Sequence, residues 1–382
     1  MAGSILCVVG ARPNFMKIAP VMAALNAGSS LLGARLLHTG QHYDEAMNNQ
    51  FFEELGIPRP DVNLEVGSGS HALQTAEIMR RFEPVLEVEQ PACVLVVGDV
   101  NSTIACALVA SKRGIPVVHV EAGLRSYDRG MPEEINRVLT DQISDLLFTT
   151  ERTALANLRK EGIAEERVHF VGNVMIDTLH MNLGRAVPAA QTFASAGASA
   201  AFTKRAEQGY TVLTMHRPSN VDDRAILSGL LETVRTISRK LPVVFPLHPR
   251  TRGRIEAFGL LPLLNSPDIL ILPPLGYLQM LGLMKAARLV LTDSGGIQEE
   301  TTALGVPCIT LRNNTERPIT VEEGTNIVVG QDAEKILAVF EDVLATGGKS
   351  GRVPEYWDGK ASQRIAAVLR DWLGLNAARS VA

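Results

Sequence analysis

No stretch of the 382-residue chain is apolar for the ~18 consecutive residues a membrane-spanning helix requires. The first strand-like stretch, Ile5 to Val9, is too short for a secretion signal and has no positive charge before it, so a cytoplasmic protein that engages no membrane is expected. Cysteine is scarce. Cys7, Cys93, Cys106 and Cys308 are widely separated, mostly inside apolar runs, and no Cys-x-x-Cys pair occurs. That argues against both a disulfide framework and a zinc knuckle, and predicts buried thiols. Charge of one sign is lacking too: 37 Lys and Arg against 41 Asp and Glu leave a net −4, which disfavours a nucleic-acid partner. What remains, 46% hydrophobic and 20% charged residues, is the composition of a folded protein with roughly two or three domains.

Short β-branched runs alternate with helical patterns along almost the whole chain, the signature of parallel α/β sheets. In the first half, strands are expected at Ser4–Gly10, Ala34–Thr39, Ala92–Val97, Pro116–Val120, Leu146–Thr150 and Val168–Val171. Ala, Ser, Gly and Pro then crowd from Arg185 to about Phe202, the best linker candidate. Strands resume at Thr211–Met215, Val243–Leu247, Ile269–Leu272, Leu289–Thr292 and Cys308–Leu311. The expected architecture is therefore α/β, with two doubly wound domains at 1–185 and 203–360. An amphipathic helix in 361–382 could pack back on either half.

Ligands of open parallel sheets bind beyond the carboxyl ends of the strands. Those ends are unusually polar here: Gly10-Ala-Arg12, Thr39-Gly-Gln-His42, Gly98-Asp99, Glu121-Ala-Gly123, Gly172-Asn173, His216-Arg217, His248-Pro-Arg250 and Asp293-Ser-Gly-Gly296. Both halves contribute, which predicts a cleft between the domains. The strongest single element is Thr292-Asp-Ser-Gly-Gly-Ile-Gln-Glu-Glu300, a strand running through Ser-Gly-Gly into a helix. Glycines admit a close ligand and a helix start attracts phosphate, so a diphosphate suits it. The competing reading is a serine N-cap on a tight turn, with Glu300 complementing the helix dipole.

Other matches are decoys. Gly67-Ser-Gly-Ser-His-Ala72 fits the dinucleotide pattern but lacks the strand before it and the acidic residue after it, and Gly348-Lys-Ser350 lacks the upstream glycine of a phosphate loop. His38 and His42 have no evident third ligand, so no metal is expected. His119 lies within a strand and reads as a structural histidine, and the basic run Arg250-Thr-Arg-Gly-Arg254 as surface.

Taken in order, Gly10-Ala-Arg-Pro-Asn-Phe-Met-Lys17, Gly98-Asp99, His119-Val-Glu-Ala-Gly-Leu-Arg125, Pro132-Glu-Glu-Ile-Asn-Arg137, Gly172-Asn173, His216-Arg217, Asp293 to Glu300 and Thr315-Glu-Arg-Pro318 span nearly the whole chain. The sequence resembles the non-hydrolysing UDP-N-acetylglucosamine 2-epimerases. That resemblance implies a two-Rossmann-domain, GT-B-type fold and interconversion of UDP-GlcNAc and UDP-ManNAc without an added cofactor. It also suggests a homodimer. Arg12, His216, Ser294, Gly295 and Gly296 would hold the diphosphate, and Glu300 the ribose hydroxyls. Lys17, Asp99, Glu121, Glu133, Arg137 and Arg317 would act on the sugar side, Asn173 would contribute to the substrate site, and main chain near Leu275 and Met280 would read the uracil.

The C2 hydrogen of an N-acetyl sugar is not adjacent to a carbonyl carbon, so departure of UDP must help its removal. Asp99, Glu121 and Glu133 are the candidates for proton transfer, with His216 on the leaving diphosphate. The sequence also departs from the family: Asn14 stands where many relatives carry Glu, Ser70 where regulated members carry an activating-site Arg, and Tyr43-Asp44 follow Gln41-His42. Weakened substrate activation is expected, with room for a related N-acetylated UDP-hexose. A GT-B-type glycosyltransferase, a hydrolysing epimerase and a silent nucleotide-sugar sensor are the alternatives.

Overall fold

The computed structural model describes residues 4–27, 33–40 and 53–381, so His42, Tyr43 and Asp44 lie outside the described residues. The chain divides into two units, one comprising Met1–Met181 with Glu355–Ala382, the other Asn182–Pro354. Among the described residues, no helix is long and apolar enough to cross a membrane.

The first unit is built on strands β1 (Ile5–Val9), β2 (Ala34–His38), β3 (Val62–Asn63), β4 (Cys93–Val97), β5 (Val117–Ala122), β6 (Leu146–Thr149) and β7 (Val168–Phe170). All pair parallel, in the order β3-β2-β1-β4-β5-β6-β7. Helices cover such a sheet, so its central strands read as unbroken apolar runs; every residue of Cys93-Val-Leu-Val-Val97 is buried. The strand order reverses between β1 and β4, and a doubly wound sheet offers its ligand crevice at that reversal. The turns that open there are Gly10-Ala11 and Gly98-Asp99.

The second unit repeats the plan with β8 (Thr211–Thr214), β9 (Val243–Pro246), β10 (Ile269–Leu272), β11 (Leu289–Thr292), β12 (Cys308–Thr310) and β13 (Asn326–Val328), in the order β10-β9-β8-β11-β12-β13. Its reversal lies between β8 and β11. Beyond those two strands stand His216-Arg217 and Asp293-Ser294.

Three features differ from the sequence expectation. Residues 185–202 are not a bare linker, because Ala189–Ser195 and Ala200–Ala206 are helices. Phe193 and Phe202 anchor them, packing edge-on with ring centres 5.7 Å apart in a core that includes Tyr210 and Leu283. The preceding backbone lies so close to the helix Tyr277–Ala286 that a Cβ on Gly282 would meet the Val187 carbonyl oxygen at 1.8 Å. β5 runs two residues beyond its expected end and carries Glu121 inside it. The last helix reaches Val381 and packs on the helix Arg12–Asn26 of its own unit, with Arg370 donating to the Ala24 carbonyl.

The decoys have ordinary explanations. Ser70 caps the helix His71–Glu89 by accepting from the Leu73 N–H at 3.3 Å. Gly348 follows the left-handed Gly347 that terminates Ala333–Thr346. Arg250 and Arg254 both pair with Asp222. All four cysteines are buried free thiols.

Candidate active site

In the first unit the chemistry gathers at the ends of β1, β4 and β5. Pairing between β5 and β6 shifts register between Val120 and Ala122, and the extra residue is Glu121, held at φ 76°. A β-bulge re-aims a side chain, and a left-handed non-glycine backbone costs on the order of 1–3 kcal/mol. The result is a buried carboxylate whose Oε1 lies 2.8 Å from the equally buried Lys17 Nζ. Gly98, at φ 67°, passes directly over this pair: a Cβ there would lie 2.7 Å from Lys17 Nζ. Glycine is required on both counts.

The next residue, Asp99, accepts from Arg137, with Nη2 at 2.7 Å and Nε at 2.9 Å. Asn136 Nδ2 donates to the Asp99 carbonyl oxygen at 2.9 Å. Asn14 supports the same turn from below: its Oδ1 accepts from the Gly10 and Ala11 N–H groups, and its Nδ2 donates to the Val97 carbonyl at 2.9 Å. A glutamate at position 14 could not make that last bond. Arg12 opens the helix that also carries Asn14 and Lys17.

The adjacent Glu133 and Glu134 divide their labour. The Glu133 side chain is partly exposed and makes no hydrogen bond or ion pair among the described residues. Glu134 is buried and accepts from the Ser126 and Tyr127 N–H groups at 2.9 and 2.8 Å and from Arg137 Nη1 at 2.7 Å. Burial alone would raise its carboxyl, but these donors outweigh burial and hold it below the ordinary value. Asn173, expected at the substrate, is fully buried, and its Oδ1 caps the helix Val174–Asn182 through the Met175 N–H.

In the second unit Asp293 is the organiser. Fully buried at the end of β11, it accepts from the His216 and Arg217 N–H groups, from Asn220 Nδ2, and from His216 Nδ1 at 2.9 Å. Burial opposes its ionisation, yet the His216 ring and the two N–H groups keep its carboxyl below the usual range. Tying Nδ1 to a carboxylate orients the partly exposed ring and leaves Nε2 as its outward nitrogen.

Next to Asp293, Ser294 occupies the N-cap position of the helix Gly295–Leu304, but its side chain makes no cap hydrogen bond. The hydroxyl and the first N–H groups of the helix, from Gly295 and Gly296, form an anion-accepting start. A side chain at 295 would have to displace the Glu316 carboxylate, since its Cβ would lie 2.7 Å from Glu316 Oε1.

Behind this helix start lies a buried charge cluster. Glu316 pairs with Arg312 at 2.7 Å and faces Arg217 at 3.7 Å, and Arg317 Nε pairs with Glu299 at 2.8 Å. Burial would raise Glu316, but the surrounding arginines hold it far below the ordinary value.

Glu300, six residues into the helix, is buried and accepts from the Tyr277 hydroxyl at 3.0 Å. Burial pushes its carboxyl up to about 8, against the Tyr277 hydrogen bond and helped by the charge of Glu299. Its place beyond the first turn makes it a poor complement to the helix dipole, which falls off within that turn. Leu275 and Met280 are half-buried against one core cluster of this unit. The Met280 N–H is already bonded to the Gly276 carbonyl, whereas the Leu275 main chain makes no hydrogen bond among the described residues.

Sequence reasoning placed Asp99, Glu121, His216 and the Ser294-Gly-Gly turn at strand ends, and all of them stand at or beside those ends. It missed Asp293, Glu134 and Asn14 as organisers. The signal for Asp293 was present, since an acid directly before a phosphate-type turn would repel an anion unless something else neutralised it. Among the described residues, no three His, Cys, Asp or Glu side chains gather as a metal site.

Comparison with known proteins bears on this geometry. The family model for UDP-N-acetylglucosamine 2-epimerase matches residues 26–370. A UDP-N-acetylglucosamine 2-epimerase of Methanococcus maripaludis is 45% identical over 360 residues, covering 91% of this chain and 95% of that protein. A UDP-2,3-diacetamido-2,3-dideoxy-D-glucuronate 2-epimerase of Pseudomonas aeruginosa is 40% identical over 370 residues, 96% of this chain and 99% of that one. The crystal structure of the Methanocaldococcus jannaschii UDP-GlcNAc 2-epimerase, in complex with UDP-GlcNAc and UDP, has a TM-score of 0.84 at 42% identity, covering 96% of this chain and 99% of that one.

Proposed function

Because the chain belongs to the UDP-N-acetylglucosamine 2-epimerase family, with its GT-B-like two-domain fold, it is an epimerase of UDP-N-acetylglucosamine, and we propose that it works by elimination and re-addition of UDP. The observation that carries the mechanism is Glu121, strained at a strand bulge with its carboxylate on Lys17, beside the turn that presents Asp99. In the proposed reaction the C1–O bond breaks and its electron pair leaves with the β-phosphate. A carboxylate takes the C2 proton, and the C2–H electrons form the C1=C2 bond of a 2-acetamidoglucal. A proton delivered to the other face of C2 and re-addition of UDP at C1 give UDP-ManNAc.

Inverting C2 needs acids on both faces, and Asp99, Glu121 and Glu133 are the proposed set. Lys17 and Arg137 pair directly with two of them, Glu121 and Asp99. In the second unit Ser294, Gly295, Gly296 and His216 Nε2 would take the departing diphosphate charge, with Arg12 assisting and Arg317 on the sugar side. No added cofactor is required by these steps. A cytoplasmic homodimer is part of the proposal.

The decisive experiment is an NMR time course with UDP-GlcNAc in deuterated water. UDP-ManNAc carrying deuterium at C2, with little free UDP, is the expected result, and a hyperbolic dependence of rate on UDP-GlcNAc accompanies it if Ser70 serves only as a helix cap. Sigmoidal kinetics would restore substrate activation. Stoichiometric free UDP would indicate hydrolysis. The Pseudomonas relative favours one second reading, a diacetamido-glucuronate sugar, which that substrate tests in the same assay.

Glu300 supplies a pH test. Ribose hydroxyls donate best to an ionised carboxylate, so UDP binding is expected to expel a proton and to strengthen with pH up to about 8, approaching tenfold per unit. Calorimetry near pH 7 in two buffers of different ionisation heat measures the released proton. Glu300→Gln should abolish the release, while an affinity independent of pH would place the ribose elsewhere. For folding the sign is the reverse. A carboxyl raised from 4.5 to about 8 stabilises the folded chain relative to its ionised form at low pH, and that contribution is lost as pH rises between the two values.

A further inference from the structure

His119, on β5, is completely buried, and both of its ring nitrogens face oxygen acceptors: Nδ1 lies 2.7 Å from Asp141 Oδ1 and Nε2 lies 2.9 Å from the Gly98 carbonyl oxygen. A neutral imidazole has one N–H and one lone pair, and a carbonyl oxygen can only accept. If Nδ1 carried no hydrogen, it would face the Asp141 oxygen lone pair to lone pair, unless the buried carboxyl itself were protonated. The other Asp141 oxygen argues against that. Oδ2 accepts from Arg125 Nη2 at 2.7 Å and from the Gly123 N–H at 3.1 Å. Arg125 in turn holds Glu161 with Nε and Nη2. The set His119, Asp141, Arg125 and Glu161 therefore alternates positive and negative and sums to zero when His119 is charged. Of the other charges at these turns, Lys17 pairs with Glu121, and Arg137 with both Asp99 and Glu134.

We propose that His119 is held as an imidazolium throughout the working pH range and acts as the positioning residue for both catalytic turns of this unit. Nε2–H ties down the carbonyl of Gly98, whose left-handed backbone presents Asp99. Through Asp141 the same ring is linked to the N–H of Gly123, two residues beyond Glu121. One buried cation thus fixes the ends of β4 and β5 together, and with them the two carboxylates on those ends. Low dielectric strengthens such a network when it is fully satisfied. The positioning role rests on the proposed work of Asp99 and Glu121; the protonation state does not.

The test uses the full-length protein with 15N-labelled histidine rings, the His119 signals being identified by their absence in His119→Gln. Both ring nitrogens are expected to carry slowly exchanging hydrogens from about pH 6 to about pH 9, across the ordinary histidine titration. A hydrogen-free ring nitrogen, or titration in that interval, overturns the charged state. Kinetically, His119→Gln should lower kcat by roughly 10- to 100-fold with KM changed less than about threefold, because misplaced acids lose proximity without losing UDP contacts. Deuterium wash-in at C2 should fall in parallel. An unchanged kcat, or a KM that rises by as large a factor as kcat falls, overturns the positioning role. Should His119→Gln fail to fold, Asp141→Asn replaces it: without the carboxylate charge, one His119 ring nitrogen should lose its hydrogen and kcat should fall. A chain inactive on every UDP-sugar would give no kinetic signal, yet the ring nitrogens would still report.

Discussion

Glu121→Gln is expected to lower kcat by about 10²- to 10⁴-fold, the range by which a positioned acid or base accelerates proton transfer. Glutamine keeps the shape of the side chain and can still accept from Lys17 Nζ, now 2.8 Å from Oε1, so the buried ammonium keeps an acceptor. It cannot exchange a proton with C2. The loss should therefore appear equally in epimerisation and in C2 deuterium wash-in, while UDP affinity stays near that of the unmodified protein. Glu121→Gly makes a useful contrast. It relieves the left-handed backbone at φ 76° but leaves Lys17 buried without its carboxylate, so it should be both inactive and less stable. Near-normal turnover by Glu121→Gln would remove this residue from the chemistry and leave the proton transfers to Asp99 and Glu133.

The largest effect on stability is expected at Asp293. Asp293→Ala leaves two main-chain N–H groups, Asn220 Nδ2 and His216 Nδ1 without their shared acceptor in a fully buried position. Breaking a buried charged network from one side costs about 3–5 kcal/mol. In a unit of this size that corresponds to a melting temperature lower by roughly 10 °C. The pH dependence has a definite sign. The folded carboxyl lies below its unfolded value of 3.8, so the contribution is complete above that value and disappears as the pH falls through the depressed one. Melting curves of Asp293→Ala and the unmodified protein should converge in acid and separate at neutral pH. Curves that coincide at neutral pH would mean that the His216 turn is held by something else.

Much of this architecture was legible because a parallel sheet covered on both faces writes its strands as apolar β-branched runs, as in Cys93-Val-Leu-Val-Val97. β3 and β13 escaped because two or three residues, one of them an asparagine in each case, carry no period. Residues 185–202 misled through composition. Alanine and serine look like linker, but two phenylalanines were enough to bury a pair of helices. Within the site, residue type revealed which strand ends bear chemistry, but not how adjacent acids divide it. Glu133 and Glu134 are identical letters, and only the packing of Ser126, Tyr127 and Arg137 makes the second a structural acceptor. His119 reads as a buried structural histidine by pattern, and its two acceptors become visible only once Asp141 and Gly98 are brought to it.

The return of the chain to its first unit has a consequence for biosynthesis. Trp357 is buried with its indole N–H on the Thr150 carbonyl, Asp177 accepts from the Ala361 and Ser362 N–H groups, and the terminal helix packs on Arg12–Asn26. The second unit, by contrast, is one uninterrupted segment, Asn182–Pro354. On the ribosome the usual vectorial order is therefore inverted. The later-synthesised unit has all its residues available while the earlier one still lacks the helix that packs on Arg12–Asn26. The nascent N-terminal half must wait, with apolar surface uncovered, for Glu355–Ala382.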